Sequence, residues 1–277
     1  TPVMESHQKN AGGNTRIAET MLRYFRYPAG FENFVYLSQL QQALAIKTAV
    51  EYWRCQMPHC MGTLFWQLND VWPCVSWSSL NYGGAWKLLH YFAKLFYAPV
   101  AVHAVPKGAV IQLIAVNDTA ADMALEVQGF TADMAGSTRP KGQQSAVIAA
   151  GQTGVMLEIP LAQIPTGAIL AFTWKANGQT GGDIFSPVPF KRLALQNPQL
   201  GLACTARGDM VEITLTAAAL ALFVTLECPA PGRFSQNGFA LFPGHPATIT
   251  FTPENGDAAT AARQITSRNL WASSHET

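Results

Sequence analysis

Along residues 34–54 the apolar positions recur at helical spacing, Leu37, Leu40 and Leu44 among them, with no glycine or proline to interrupt. Lys47 and Glu51 stand four residues apart on that face, so the pattern predicts an amphipathic helix over Phe34–Arg54. Glu51 reads as a solvated helix charge, and Glu19 and Glu32 as loop or cap residues. Pro58 then breaks the chain before an apolar run, Gly62–Leu68, that reads as a short buried strand. Beyond it, Asn69 and Asp70 lie between Trp66 and Trp72. Gly83 and Gly84 precede a second predicted helix, Ala85–Phe96, with Trp86, Leu89, His90 and Ala93 on one face. Helix, strand, loop and helix form a piece of an α/β unit, which cannot close a sheet by itself.

From Pro99 the period changes. Short strands are predicted at Val110–Val116, Ala124–Phe130, Val155–Ile159 and Ile169–Lys175, separated by turn residues such as Asn177-Gly178. A polar connection at Asn197-Pro198 leads to a second block, with strands at Leu200–Ala206, Met210–Thr216, Ala221–Glu227 and Thr248–Thr252. Each block falls just under about 100 residues, the size of an immunoglobulin-like sandwich. Ala217–Ala219 has helix-forming composition but strand-forming neighbours, and reads as a strand edge or turn.

Composition sharpens the boundary. All 7 tyrosines, and all tryptophans except Trp174 and Trp271, fall within residues 1–97. The 277 residues are 49% hydrophobic and 13% charged with a net charge of +1, a globular composition without basic runs. Nucleic acid and anionic membrane surfaces are therefore not expected partners. No apolar run is long enough to span a bilayer, and no signal-peptide pattern is visible. The sequence starts at Thr1 rather than methionine, so its natural start is expected upstream and localisation stays undetermined. The 5 cysteines form no metal-type cluster. Cys55, His59 and Cys60 lack the further ligand that a structural zinc needs. Cys204 and Cys228 could face each other, which the odd count leaves open.

Motifs for nucleotide binding (GxGxxG, P-loop), zinc proteolysis (HExxH) and serine hydrolysis (GxSxG) are lacking. Asn117-Asp118-Thr119 is either a glycosylation acceptor or a short turn. Polar and aromatic groups converge in the first block. Glu5-Ser6-His7-Gln8 and Gly12-Gly13-Asn14 read as a hydrogen-bonding loop. Around Trp66 two readings compete: a core tryptophan at the foot of a strand, or a sugar platform. Sugars present C–H faces to aromatic rings and hydroxyls to amides and carboxylates, and strand ends face the site in (β/α) barrels.

The segment GTLFWQLNDVWPCVSWSSLNYGGAWKLLHYFAKLFYAPV (62–100) resembles the last strand and helix of the catalytic barrel of family 2 β-mannosidases. VMESHQKNAGGNTRI (3–17) resembles the loop after that family's seventh barrel strand. FYAPVAVHAV, VNDT and FSPVPFKRL (185–193) resemble its middle sandwich, and FSQNGFALFPGHPATITFTP (234–253) with Leu270-Trp271 its last one. The resemblance implies a mixed, mainly β fold. Residues 1–97 would be the C-terminal piece of a (β/α)8 barrel, and 98–192 and 193–277 two immunoglobulin-like β-sandwiches.

It also implies an activity, retaining hydrolysis of terminal β-D-mannosides without metal or organic cofactor. Such enzymes need two carboxyl groups about 5 Å apart. The family's two catalytic glutamates precede the VMESHQKN segment, so no catalytic residue is expected in this chain, and the chain alone is expected to be inactive. What carries over is substrate binding: Trp66 as floor of the sugar subsite, with a cis Trp66–Gln67 peptide. Asn69, Asp70 and Trp72 would shape or brace its rim, while Glu5, His7, Gln8 and Asn14 would border the pocket mouth. The partners implied are β-mannoside oligosaccharides and the upstream part of the same protein. Residues 34–97 are expected to be aggregation-prone without it. Two alternatives stay open: a non-catalytic sandwich module binding carbohydrate or protein, and another family 2 activity such as β-galactosidase.

Overall fold

A computed structural model describes residues 2–254 and 256–275. Four helices come first: α1 (Pro2–Ser6), α2 (Gly13–Tyr24), α3 (Gly30–Arg54) and α4 (Leu88–Phe96). Strands β1 (Val100–Lys107), β2 (Val110–Asn117), β3 (Met123–Ala132), β4 (Thr138–Ile148), β5 (Gln152–Pro160), β6 (Ile169–Ala176) and β7 (Gln179–Phe185) follow. Then come β8 (Gly201–Arg207), β9 (Met210–Thr216), β10 (Ala221–Glu227), β11 (Gly232–Phe234), β12 (Phe239–Leu241) and β13 (Ala247–Pro253). A short helix α5 (Ala258–Ala262) precedes β14 (Thr266–Arg268). No described helix is long and apolar enough to cross a membrane.

Two compact units emerge. One comprises Ala45–Leu64 and Ala93–Ala194. Its antiparallel sheets, in the orders β1-β2-β5 and β4-β3-β6-β7, enclose Ile111, Leu113, Val127, Ile159, Leu170 and Phe172. Strand β2 is buried along nearly its whole length because Cys55 and Met57 cluster with its Ile114 and Val116. The Asn117 side chain is fully buried and donates to the carbonyls of Ala121, Ile148 and Ala149, while Thr119 donates to its Oδ1. Asn117 is thus the anchor of a turn and not a glycosylation acceptor.

Glu51 departs from expectation. It is buried, 2.8 Å from Lys47 and 3.1 Å from Nδ1 of His103 on β1, while Lys47 also meets Asp183 of β7 at 2.7 Å. The i,i+4 spacing that looks like a surface pair is turned toward the sheets, where each charge finds a partner.

The other unit comprises Thr1–Leu44, Phe65–Phe92 and Leu195–Thr277. Its sheets run β12-β10-β14 and β11-β13-β9-β8, around Val211, Ile213, Leu215, Val224, Ile249 and Phe251. Ala217–Ala219 form a bend, as expected of a strand edge. The N-terminal half of α3 is tied to this sandwich: the buried Tyr36 hydroxyl donates to the Phe223 carbonyl at 2.8 Å, and Arg268 pairs with Glu32 at 3.2 Å. Tyr91 of α4 joins the same core.

The first block corrects several expectations. No strand forms before Val100 among the described residues, so Gly62–Leu68 is an irregular segment that joins no sheet. It is not buried either: Leu64 is 95% exposed, Trp66 73% and Leu68 55%. Alternating apolar residues make a strand only where a neighbour supplies hydrogen-bonding partners. Residues 3–17 are not one loop, since α1 and α2 flank a turn, and Glu19 lies within α2. Helix α4 starts at Leu88 rather than Ala85 because Gly83 and Gly84, at φ +96° and +91°, turn the chain back. Trp86 then bridges Leu80, and Lys87 N–H donates to Ser79.

Burial raises the Glu51 carboxyl, but Lys47 and His103 outweigh it and hold it at about 2. A folded-state value below the unfolded one adds stability that is complete above the ordinary carboxyl range and is lost as pH falls. The melting temperature should therefore drop between about pH 4.5 and pH 2 more steeply in the parent chain than in E51Q. Thermal melts of both across that window check this, and parallel curves would refute it.

Candidate functional site

The stretch from Trp66 to Ser79 has little regular structure, so its shape rests on side-chain bonds. The Trp66–Gln67 peptide is cis, as the resemblance implies, and the Trp66 side chain is largely bare. Gln67 is held twice. Its carbonyl accepts from Ser79 N–H at 2.9 Å, and its Nε2 donates to Asn69 O at 2.9 Å and Asp70 Oδ1 at 3.3 Å. The Leu68 carbonyl accepts from Leu80 N–H at 2.8 Å and from the Ser79 hydroxyl at 3.0 Å.

Asp70 is buried beneath this loop. Its Oδ2 accepts from the hydroxyls of Ser76, at 2.6 Å, and Ser78, and lies 3.8 Å from Lys87 Nζ. Lys87 also donates to Ser78 Oγ at 2.7 Å. Burial would raise the Asp70 carboxyl, but hydrogen bonds from Ser76, Ser78 and Cys74 and the Lys87 charge hold it below the usual range. Burial pushes Lys87 down, against the pull of Asp70 and Cys74. Ser78 beside a depressed lysine has the makings of a nucleophile pair, yet Ser78 is fully buried and no substrate reaches it. The cluster is an internal brace.

The two segments that carry the resemblance meet at Trp72. Gln8 bridges Val75 in parallel, with Val75 N–H donating to His7 O and Lys9 N–H to Val75 O. The His7 ring donates through Nδ1 to Pro73 O at 2.6 Å and lies 5.3 Å from the half-buried Trp72 ring. Lys9 Nζ stands 5.4 Å from the same ring, a cation–π contact. Glu5, on α1, is exposed and accepts from Asn14 Nδ2 at 2.8 Å, and Gln8 donates to Asn14 Oδ1 at 2.7 Å. Gly13 is needed here, because a Cβ would come within 2.7 Å of the Gln8 side chain.

His7 and Trp72 therefore join, Glu5 sits apart on the Asn14 side, and Asn69 is exposed beside Gln67. Trp66 is the one large aromatic of the predicted set left open to solvent. Gln67, Ser76, Ser78 and Lys87 are missing from the sequence-predicted set. The available signal is a lone lysine amid the apolar residues Ala85–Leu89, together with serines alternating about Trp77. Among the described residues no group of acidic, histidine and cysteine side chains could hold a metal, and all five cysteines are free. Ring, amide and loop offer a surface for a ligand with apolar and hydrogen-bonding faces, without an arranged pair of carboxylates.

The comparisons fit this picture. An Ig-fold domain model, Ig_mannosidase, matches residues 195–273, which defines the class of the second sandwich. The chain is 30% identical to the β-mannosidase of Mus musculus over 268 residues, 84% of this chain and 30% of that protein. It is also 30% identical to the Capra hircus β-mannosidase over 272 residues, again covering 30% of the relative. By sequence the chain is similar to the β-mannosidases and spans about 30% of the length of these relatives. A β-D-mannosidase from Dictyoglomus thermophilum superposes with a TM-score of 0.87 at 24% identity, over 96% of this chain and 33% of that one. An exo-chitosanase from Amycolatopsis orientalis does so at 0.78 and 13% identity, over 95% and 37%. These two show the shared fold.

The brace gives a direct prediction. D70A leaves Lys87 buried without a countercharge and should cost roughly 3 kcal/mol in urea unfolding. The double variant D70A/K87M should recover most of that loss, because the stranded charge goes with it. Equal destabilisation of single and double variants would overturn the pairing.

Proposed function

We propose that the chain is the C-terminal part of a retaining exo-β-mannosidase of glycoside hydrolase family 2, acting on terminal β-D-mannosides. In this reading residues 1–97 are the last portion of the (β/α)8 barrel, and 98–192 and 193–277 are supporting sandwiches. Gly62–Leu68 is the eighth barrel strand, and its partners and both catalytic glutamates lie upstream. The observation that carries the reading is a segment that joins no sheet among the described residues and leaves the apolar Leu64, Trp66 and Leu68 bare. A soluble chain leaves such residues uncovered where another surface is meant to cover them. The sequence similarity to β-mannosidases supports the reading that this surface is the upstream part of the barrel.

Trp66 then floors the sugar subsite by stacking on the C–H face of the mannosyl ring. Asn69 and Trp72 shape its rim, with the His7 ring tilted against Trp72 and Glu5 on α1 bonded to Asn14. The chain contributes one wall of the subsite and not the reacting carboxylates, and no metal or organic cofactor enters the reaction.

The test compares the purified 277-residue chain with the same chain extended N-terminally to include the upstream barrel. The extended protein should hydrolyse an aryl β-mannoside while the short chain shows no turnover. Turnover by the short chain would overturn the missing-carboxylate argument. Activity of the long form on β-galactosides alone would overturn the substrate.

A further inference from the structure

An exposed tryptophan has few neighbours to fix its ring. Trp66 is 73% exposed, so its direction depends on the backbone that carries it. That backbone is held from below. Lys87 donates to Ser78, Ser78 and Ser76 donate to Asp70 Oδ2, and the other Asp70 oxygen accepts from Gln67, the residue that follows Trp66. The same Gln67 amide also ties to Asn69 O, and its carbonyl to Ser79 N–H. Asp70, Ser78 and Lys87 are buried, Ser76 and Gln67 are half-buried, and the two charges are matched inside the fold.

We infer that Gln67, Asp70 and Lys87 are positioning residues for Trp66, with Gln67 transmitting the orientation set by the buried Asp70–Lys87 cluster to the exposed ring. Asp70 and Gln67 then act on sugar binding through Trp66, without touching the sugar. A binding aromatic must be held close to its productive angle, and supporting hydrogen bonds do that where packing does not. This role rests on the reading of Trp66 as a sugar platform, but the anchoring has a test of its own.

The chain is labelled with 5-fluorotryptophan, and the Trp66 fluorine line is assigned with W66F. In Q67L, which keeps bulk and removes the donor, the Trp66 line should move or broaden while the Trp174 and Trp271 lines stay in place. D70N should give the same displacement with a lower melting temperature. Because Gln67 is only half-buried, Q67L keeps the question decidable if D70N does not fold. A Trp66 line unchanged in Q67L overturns the anchoring. The two readings fail separately: W66A in the N-terminally extended protein, assayed on an aryl β-mannoside, should raise KM. If KM and kcat are both unchanged there, Trp66 is no platform, and the fluorine line still reports whether Gln67 holds it. If W66A raises KM, Q67L should raise it as well, with kcat less affected.

Discussion

Backbone outside regular structure needs hydrogen-bond partners, and residues 62–68 have no adjacent strand to supply them among the described residues. The carbonyls of Gln67 and Leu68 solve this locally, by accepting from Ser79 and Leu80 where the chain doubles back. Nearly everything in the candidate site follows from that return. It brings Ser76 and Ser78 over Asp70, it makes Trp86 pair with Leu80, and it delivers Lys87 to the same carboxylate. At the amino-terminal end of the segment the Thr63 carbonyl and hydroxyl are met by the Tyr97 hydroxyl instead. The apolar side chains there stand out in solvent, Leu64 most of all.

The sandwiches were the legible part of the sequence. In β3, inward positions alternate with outward ones, and Met210–Thr216 and Ala221–Glu227 were read to the residue. Several of the strands the pattern does not mark are polar or very short, although β1 is apolar and 8 residues long. β4, TRPKGQQSAVI, exposes much of both faces, so no alternation could mark it, and β11 and β12 have three residues each. Helices α3 and α4 were readable in type but not at their starts, whereas α1 and α2 fall where the pattern reads as loop. Gly30 opens α3 at φ +82°, ahead of the apolar stripe, and the turn at Gly83-Gly84 delays α4. Sequence periodicity reports burial, and these boundaries are set by backbone geometry instead.

The site was legible in a narrower sense. Trp66 stood out as an apolar ring next to amide and carboxylate groups, and Trp72 as its companion. Their roles diverge in the structure, because Trp72 is enclosed by His7 and Lys9 while Trp66 is bare. Nothing in the local pattern tells the two rings apart, since the difference lies in residues 7–9, about sixty positions earlier. Charges mislead for the same reason. Glu51 has the spacing of a surface pair and Asp70 the place of a rim residue, yet both are buried and spent on internal partners, Lys47 and His103 for one, Ser76, Ser78 and Lys87 for the other. An i,i+4 spacing states which residues share a face, not what that face meets.

That distinction bears on what likeness can establish. The two solved neighbours share the fold at 24% and 13% identity, yet one is a β-D-mannosidase and the other an exo-chitosanase. A backbone of this kind therefore does not choose the sugar. Discrimination between sugars differing at one hydroxyl needs side chains aimed at that hydroxyl, and unpaired polar groups against the wrong one. In this chain the carboxylate nearest Trp66, Asp70, already has its oxygens occupied by Gln67, Ser76 and Ser78. Trp66 offers a ring face, which is tolerant of hydroxyl configuration wherever the C–H face is kept. On the proposed reading, recognition of mannose over another β-linked sugar would come from groups opposite the ring, with Trp66 as the floor against which they work.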